Sequence, residues 1–362
     1  MPLPAHLSAL ILFVALATAA EPQGVALTNS GATATGAIQV ASGRLTVDDV
    51  QGDQLLGIRL PGAVAQWIDQ GLVLGDGDVL RGTPLLVGKD GLGFASDLLG
   101  PITVPYAQVA ALLLSPTRIG EAAPAGFVGA VLANGDRLGG RLASLDATTV
   151  GIDTGKKTIN VPRTRVAQVV LRAPAIAADA ARRLVVRFAN GDRLGGTLTA
   201  PTAGRWELTS PHGAVRFTAA DARGLWFEGA DRRPLATLVA TSGGAAGTDA
   251  ASDGGWLSVG GQRWDRGLLC RAPSRLEYDV PAGSTALTGE VALTPGAGSA
   301  VFRVLVDGQP AFDSGPVLAG AAAKPFSVPL VGRAKLALVV DPGADSAGLG
   351  ARAVWGWAIV VR

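Results

Sequence analysis

The sequence predicts an all-β protein, with tandem small barrel-like repeats followed by a β-sandwich. Three observations predict it. Gly (50) and Pro (22) are abundant and only 17% of the 362 residues are charged, yet 48% are hydrophobic, so turns are frequent and a core is still possible. Apolar residues come in short alternating runs, as in Leu276-Tyr278-Val280 and Leu336-Leu338-Val340. The octapeptide ANGDRLGG is written twice, at residues 133–140 and 189–196, inside longer stretches that share one plan.

The chain opens with an apolar run from Leu7 to Ala17, then the small residues Ala17-Thr18-Ala19-Ala20 before Glu21-Pro22. That run is short for a bilayer span and suits an export signal over residues 1–20 with an A-x-A cleavage site, although its positive charges are only the α-amine and His6. The expectation is an exported protein: periplasmic, cell-surface or secreted. Cys270 is the only cysteine, so no disulfide forms within the chain. Its apolar flanks (GLLCRAP) predict a buried small hydrophobe rather than a nucleophile.

Residues 72–116, 127–172 and 184–229 each read as one unit: an apolar strand, a Gly-Asp turn, a strand through Leu-x-Gly, a third strand, then Val-Pro-x-x-x-Val or its degraded form. Residues 21–70 read as a degenerate fourth copy. Asn134-Gly135 and Asn190-Gly191 lie between alternating strands, which predicts type I′ hairpin turns. A phosphate cradle would need a helix after the glycines and a Lys-Ser/Thr pair. A strand follows instead, so Asp136 and Asp192 are read as turn residues. Each unit is too small to bury a core as a flat sheet, and closure into a small barrel removes its edges. The pattern resembles exported bacterial proteins with Sm-like β-barrel repeats. Arg137, Arg141 and Arg193 lack the basic and aromatic interleaving of an RNA-binding surface, and the net charge of +2 is too small for a nucleic-acid partner.

Residues 240–254 (ATSGGAAGTDAASDG) read as a linker, and residues 255–362 as a separate module with sandwich-like strand spacing. Asp307-Gly308, between VFRVLV and QPAF, marks a further hairpin. Gly267-Leu268, Ala272-Pro273-Ser274-x-Leu276-x-Tyr278, the run VFRVLVDGQPAFDSG and VGRAKLALVVDPG, with Trp355 near the end, resemble the NPCBM carbohydrate-binding family. The resemblance implies a galactose-binding-like jelly roll that binds a glycan on its end loops. It departs from the family at two places: Arg271 stands where the family has His, and Ala351-Arg352-Ala353-Val354-Trp355 replaces an Asp-His-Ala-Asp-Trp-like run. Candidate sugar contacts are Arg271 and Arg352 as hydrogen-bond donors and Trp355 or Trp357 as stacking rings. The two tryptophans, two residues apart, are expected on one strand face, with at least one packing the sandwich.

The repeats and the module fill the chain and leave no room for a glycosidase domain with paired carboxylates. His212 has no Ser or Cys partner suggested by the sequence, and no His, Cys or carboxylate cluster shows metal-ligand spacing. No cofactor is predicted, apart from a structural calcium at Asp341 and Asp345 as an option. The reading is a non-catalytic protein whose partner is a glycan or polysaccharide. The alternative is a structural or adaptor protein that contacts other envelope proteins through a decayed sugar site.

Overall fold

One bent strand runs through the first, second and fourth of the tandem repeats, and in the third it is broken at Gly140 into Arg137–Gly139 and Arg141–Leu145. In the second repeat Val79–Val87 pairs with Gly71–Leu74 through Val79, Leu80 and Arg81, and with Leu92–Ser96 from Gly82 onward. Gly82 makes the bend possible: its φ is 142°, and a Cβ there would lie 2.0 Å from the Ala95 carbonyl oxygen. Gly100–Val104 follows as the outer strand, and Val109–Leu113 returns to pair with Gly71–Leu74. The Val-Pro step serves the same closure. Pro105 starts a 3-10 turn, Tyr106–Gln108, that delivers the chain to the last strand, and Pro162 does so for Arg163–Arg165.

The computed structural model describes residues 22–362 except 31, 42–43, 61–67, 116–125, 173–181, 203, 239, 243–247, 250–256, 260–261, 265–266, 295–297 and 344–348. The expected export signal therefore lies outside the described residues. In the expected first copy Gln23–Thr28 pairs with Leu55–Arg59, and Thr33–Ala41 with Arg44–Val47. In the fourth, Arg183–Phe188 pairs with both Arg193–Thr202 and Ala222–Glu228. The closing strands then pair between repeats, Val109–Leu113 with Val166–Val170 and Leu55–Arg59 with Ala222–Glu228. One continuous apolar core runs through all four copies, including Ile58, Leu72, Val169 and Leu225.

The duplicated octapeptide is a hairpin turn, but not of the expected type. Gly135 and Gly191 donate their N–H groups to the Leu132 and Phe188 carbonyls (2.9 and 3.1 Å) and have φ of 91° and 99°. Neither Asn134 nor Asn190 has positive φ. The loop is thus a three-residue type I turn followed by a left-handed glycine, not a two-residue type I′ turn. Each Asn closes the loop on its Asp: Asn134 Nδ2 donates to Asp136 Oδ2 (2.7 Å), and the N–H groups of Asp136 and Asp192 donate back to Asn134 and Asn190 Oδ1 (3.2 and 3.1 Å). Asp307-Gly308 does form the type I′ turn, with both residues at positive φ (48° and 80°).

The C-terminal module is a sandwich of two antiparallel sheets. One runs Thr248–Asp249, Gly267–Arg271, Arg352–Val361, Ala286–Leu293, Lys324–Pro329; the other runs Ser274–Asp279, Lys335–Pro342, Ser299–Val306, Gln309–Leu318. Its core holds Phe302, Leu338, Trp355 and Val360. The module begins earlier than residue 255, because Arg232–Pro234 already pairs with Arg352–Val361. The described part of the expected linker is also tied down: the Thr241 N–H donates to Glu277 O (2.7 Å), and Thr248–Asp249 pairs with Leu268 and Leu269. Small side chains made this stretch look free, but strand pairing uses the backbone.

The outer face of the first sheet is not left to solvent. Leu269, Ala292, Val354, Trp357, Ile359 and Val361 are buried together with Leu56 and Trp226 of the repeats. Trp226 and Trp357 pack with centroids 4.0 Å apart, Arg187 lies 4.5 Å over Trp226, and Arg59 pairs with Glu290. The module is docked on the repeats.

Candidate functional site

Of the four residues expected to touch a sugar, the structure brings two together and withdraws two. Trp355 is 0% exposed, packed edge-on against Phe302 and Phe326 at 5.2 and 5.6 Å. Trp357 is 9% exposed and lies against Trp226. Neither ring offers a face to a ligand, which corrects the stacking role.

The expectation that both rings share one strand face also fails, for a local reason. Thr288 pairs with Ile359 but Glu290 pairs with Gly356, so Trp357 and Ala358 together oppose the single residue Gly289. This is a β-bulge, and the extra residue turns the following side chains over. Trp357 takes φ 45° within it, and a Cβ on Gly289 would come within 3.0 Å of Gly356 O and Ala358 Cα. Trp355 therefore faces the module core and Trp357 the repeats.

Arg271 and Arg352 are direct partners across Gly267–Arg271 and Arg352–Val361. Leu269 and Val354, two residues along the same strands, are buried on the outer face, so alternation places both arginines on that face at the end of the sheet. Arg271 is exposed and Arg352 half-buried. The Ala272 N–H donates to Ala351 O (2.9 Å) and the Gly350 N–H to Ala272 O (2.7 Å), which fixes the backbone beside the pair. The two arginines stand at the end of paired strands, beside the turn through Gly350 and Ala351.

One cluster was not visible in the sequence. His212 Nε2 lies 3.3 Å from Asp76 Oδ2 and 3.8 Å from Asp78 Oδ2, and the three residues offer ligand atoms within 4.8 Å of one another. Arg183 already supplies a cation there, its Nη2 donating to Asp78 Oδ1 at 2.6 Å. Burial alone would raise Asp76, but hydrogen bonds from His212 and the Asp78 N–H, with the Arg183 charge, hold its carboxyl down at about 2. Burial is also the largest influence on Asp78 and raises it, against Arg183 and Arg193. A metal ion would have to displace Arg183, so the arrangement acts as an ion-pair lock between the second and fourth repeats. Asp341, one of the two residues weighed for calcium, is paired with Arg303, and Asp345 lies outside the described residues.

Two further features bear on chemistry. Burial pushes the Cys270 thiol up to about 11, so it stays protonated and inert. A cleft of about 860 Å3 between the first and fourth repeats is lined by Arg182, Arg183, Leu184, Leu198 and Phe227 among others. Arg182 is engaged there, stacked 4.0 Å over Phe227 and donating to the Gly52 and Leu55 carbonyls.

Residues 233–360 match the family described as NPCBM/NEW2 domain, a carbohydrate-binding module family. The matched span starts where the strand Arg232–Pro234 joins the sandwich. No curated protein matches the chain. Among solved structures, the CBM51 of GH95 from Clostridium perfringens in complex with methyl-galactose is 25% identical, with 36% of this chain and 99% of that chain covered and a TM-score of 0.32. The CBM51-2 and INT domains of ZmpB from Clostridium perfringens are 14% identical (46% and 40% covered, TM-score 0.32). The tandem CBM51 modules of Sp3GH98, a family 98 glycoside hydrolase from Streptococcus pneumoniae SP3-BS71, are 11% identical (65% and 88% covered, TM-score 0.31).

Proposed function

We propose that this chain is an exported, non-catalytic glycan-binding protein in which the repeats form a fixed support for the C-terminal module. The match of residues 233–360 to the NPCBM/NEW2 family carries the reading, because that family is one of carbohydrate-binding modules. The apolar run at Leu7–Ala17 supports export to the periplasm, cell surface or medium. The inert thiol of Cys270 and the Arg183-neutralised cluster at His212 support a binding role over a catalytic one. Within the module, Arg271 and Arg352 remain as glycan contacts, since they are the candidates that side-chain packing leaves accessible.

The docking against Leu56 and Trp226 supports a presentation function. A module held on a rigid platform binds its ligand in a fixed orientation relative to the rest of the chain. The test is a glycan-array screen of the full chain. Retention of one structural class of glycan, with no cleavage of it, is expected. A folded chain that retains no glycan would overturn the reading.

A further inference from the structure

Arg271 and Arg352 form a pair that is unfavourable as it stands. They are direct partners in an antiparallel ladder, which puts their Cβ atoms about 4.5–5.5 Å apart on one face, and like charges so placed are destabilising. Among the described residues neither guanidinium meets a carboxylate. Elsewhere in the same module Arg275 is paired with Glu277 (2.7 Å), Arg303 with Asp313 (2.7 Å) and Lys335 with Asp279 (2.6 Å). Among the described residues no carboxylate offsets the two charges of this pair.

The surroundings narrow what would settle there. A neutral sugar is held mainly by an aromatic ring against its apolar face, with hydroxyls bonded around it. Here Trp355 is inside the core and Trp357 is covered by Trp226. Among the described residues neither of these rings can stack on a ligand, and the pair itself recognises by charge. A guanidinium presents a planar fork of donors that matches a carboxylate bidentately and does not lose its charge near neutral pH. The paired strands fix the spacing of the two side chains at their Cβ atoms, and the planar fork of each loses less freedom per hydrogen bond than a flexible ammonium does. Thr294, just past the end of the neighbouring strand, borders the pair, its N–H donating to Arg352 O (3.0 Å), and Leu269 and Val354 continue the same face toward the repeats.

We propose that the Arg271–Arg352 pair selects a saccharide bearing a carboxylate, of the uronic-acid class, over its neutral counterpart. This rests on the glycan-binding reading above. The anion relieves the repulsion between the two guanidiniums, so binding the acidic sugar gains what the empty site loses.

The experiment is calorimetric titration of the full chain with a uronic-acid trisaccharide and with the same trisaccharide reduced at its carboxyls. At low salt the acid binds about tenfold or more tightly, and the preference shrinks in about 0.3 M salt as screening shortens to a few ångströms. Arg271→Ala/Arg352→Ala abolishes the preference, and Arg352→Lys, which keeps the charge but not the fork, retains part of it. Without ligand, Arg352→Ala melts no lower than wild type, because it removes one of two opposed like charges. Equal affinity for the two trisaccharides, acid binding that survives the double variant, or a ligand-free melting drop of several degrees in Arg352→Ala would each overturn the proposal. Binding of the neutral sugar alone would do so while leaving the glycan-binding reading intact. No binding of any glycan, here or on an array, would remove that reading as well.

Discussion

The two copies of ANGDRLGG should respond differently to the same substitution as pH changes. Asp136 is exposed, whereas Asp192 is 1% exposed and accepts the backbone N–H of Arg81 in the second repeat. Asp78, at the matching turn position of the second repeat, accepts the Gly195 N–H of the fourth at 2.9 Å, so the two repeats are joined by reciprocal contacts. Burial raises the Asp192 carboxyl from 3.8 to about 7, opposed by hydrogen bonds from Arg81 and Asn190 and by the Arg81 charge, with Asp97 adding to the rise. The folded state therefore holds this proton more tightly than the unfolded state. Its stabilising contribution is complete below about pH 4 and is lost as pH rises through about 7. At 1.36 kcal/mol per pH unit the loss is on the order of 4 kcal/mol. Asp192→Asn removes the titration while keeping an oxygen for the Arg81 N–H. The stability of Asp192→Asn relative to wild type should rise between pH 4 and 8 by a few kcal/mol, whatever its offset at pH 4. Asp136→Asn should stay within about 0.5 kcal/mol of wild type throughout. Urea unfolding followed by tryptophan fluorescence at a series of pH values measures both. Parallel pH profiles for wild type and Asp192→Asn would refute the reasoning.

Three other substitutions or probes check the packing. Trp226→Ala removes a ring that covers Trp357, and should cost about 3–5 kcal/mol and let the module and repeats melt separately in calorimetry; one unchanged transition would contradict the docking. Gly191→Val forces a branched residue into φ 99° and should cost at least about 1–3 kcal/mol, while Gly139→Ala, which meets nothing within 4 Å, should be nearly neutral in the same melts. Cys270, with its thiol raised to about 11, should resist iodoacetamide in the native protein at pH 8 and react after denaturation, as read by mass spectrometry.

What could be seen in the sequence was mostly local. Turn glycines recur along the repeats and Val-Pro steps in the second and third, and they mark where a strand reverses or the chain hops to its closing strand. Asp307-Gly308 marked its hairpin, and its turn is type I′ because both residues tolerate positive φ. Asn134-Gly135 marked its hairpin but not its turn type, because a two-residue and a three-residue loop can share that dipeptide. The remaining features depend on contacts between distant segments. Two identical octapeptides place Asp136 in solvent and Asp192 against Arg81 only because the second and fourth repeats meet there. His212 and Asp76 come together across 136 residues for the same reason. The separation of Trp355 from Trp357 follows from one extra residue opposite Gly289; Gly289 and Gly356 were the available signals, and alternation alone could not count the bulge. Arg271 and Arg352 were each visible as departures from the family pattern, but their direct opposition was not.

The most direct measurement is a crystal structure of the full chain with a bound oligosaccharide. The account predicts the sugar at the outer end of the first module sheet, with its polar groups on the Arg271 and Arg352 guanidiniums and both Trp355 and Trp357 still covered. Sugar stacked on either tryptophan after the module has lifted from Trp226, or seated away from both arginines, would contradict it.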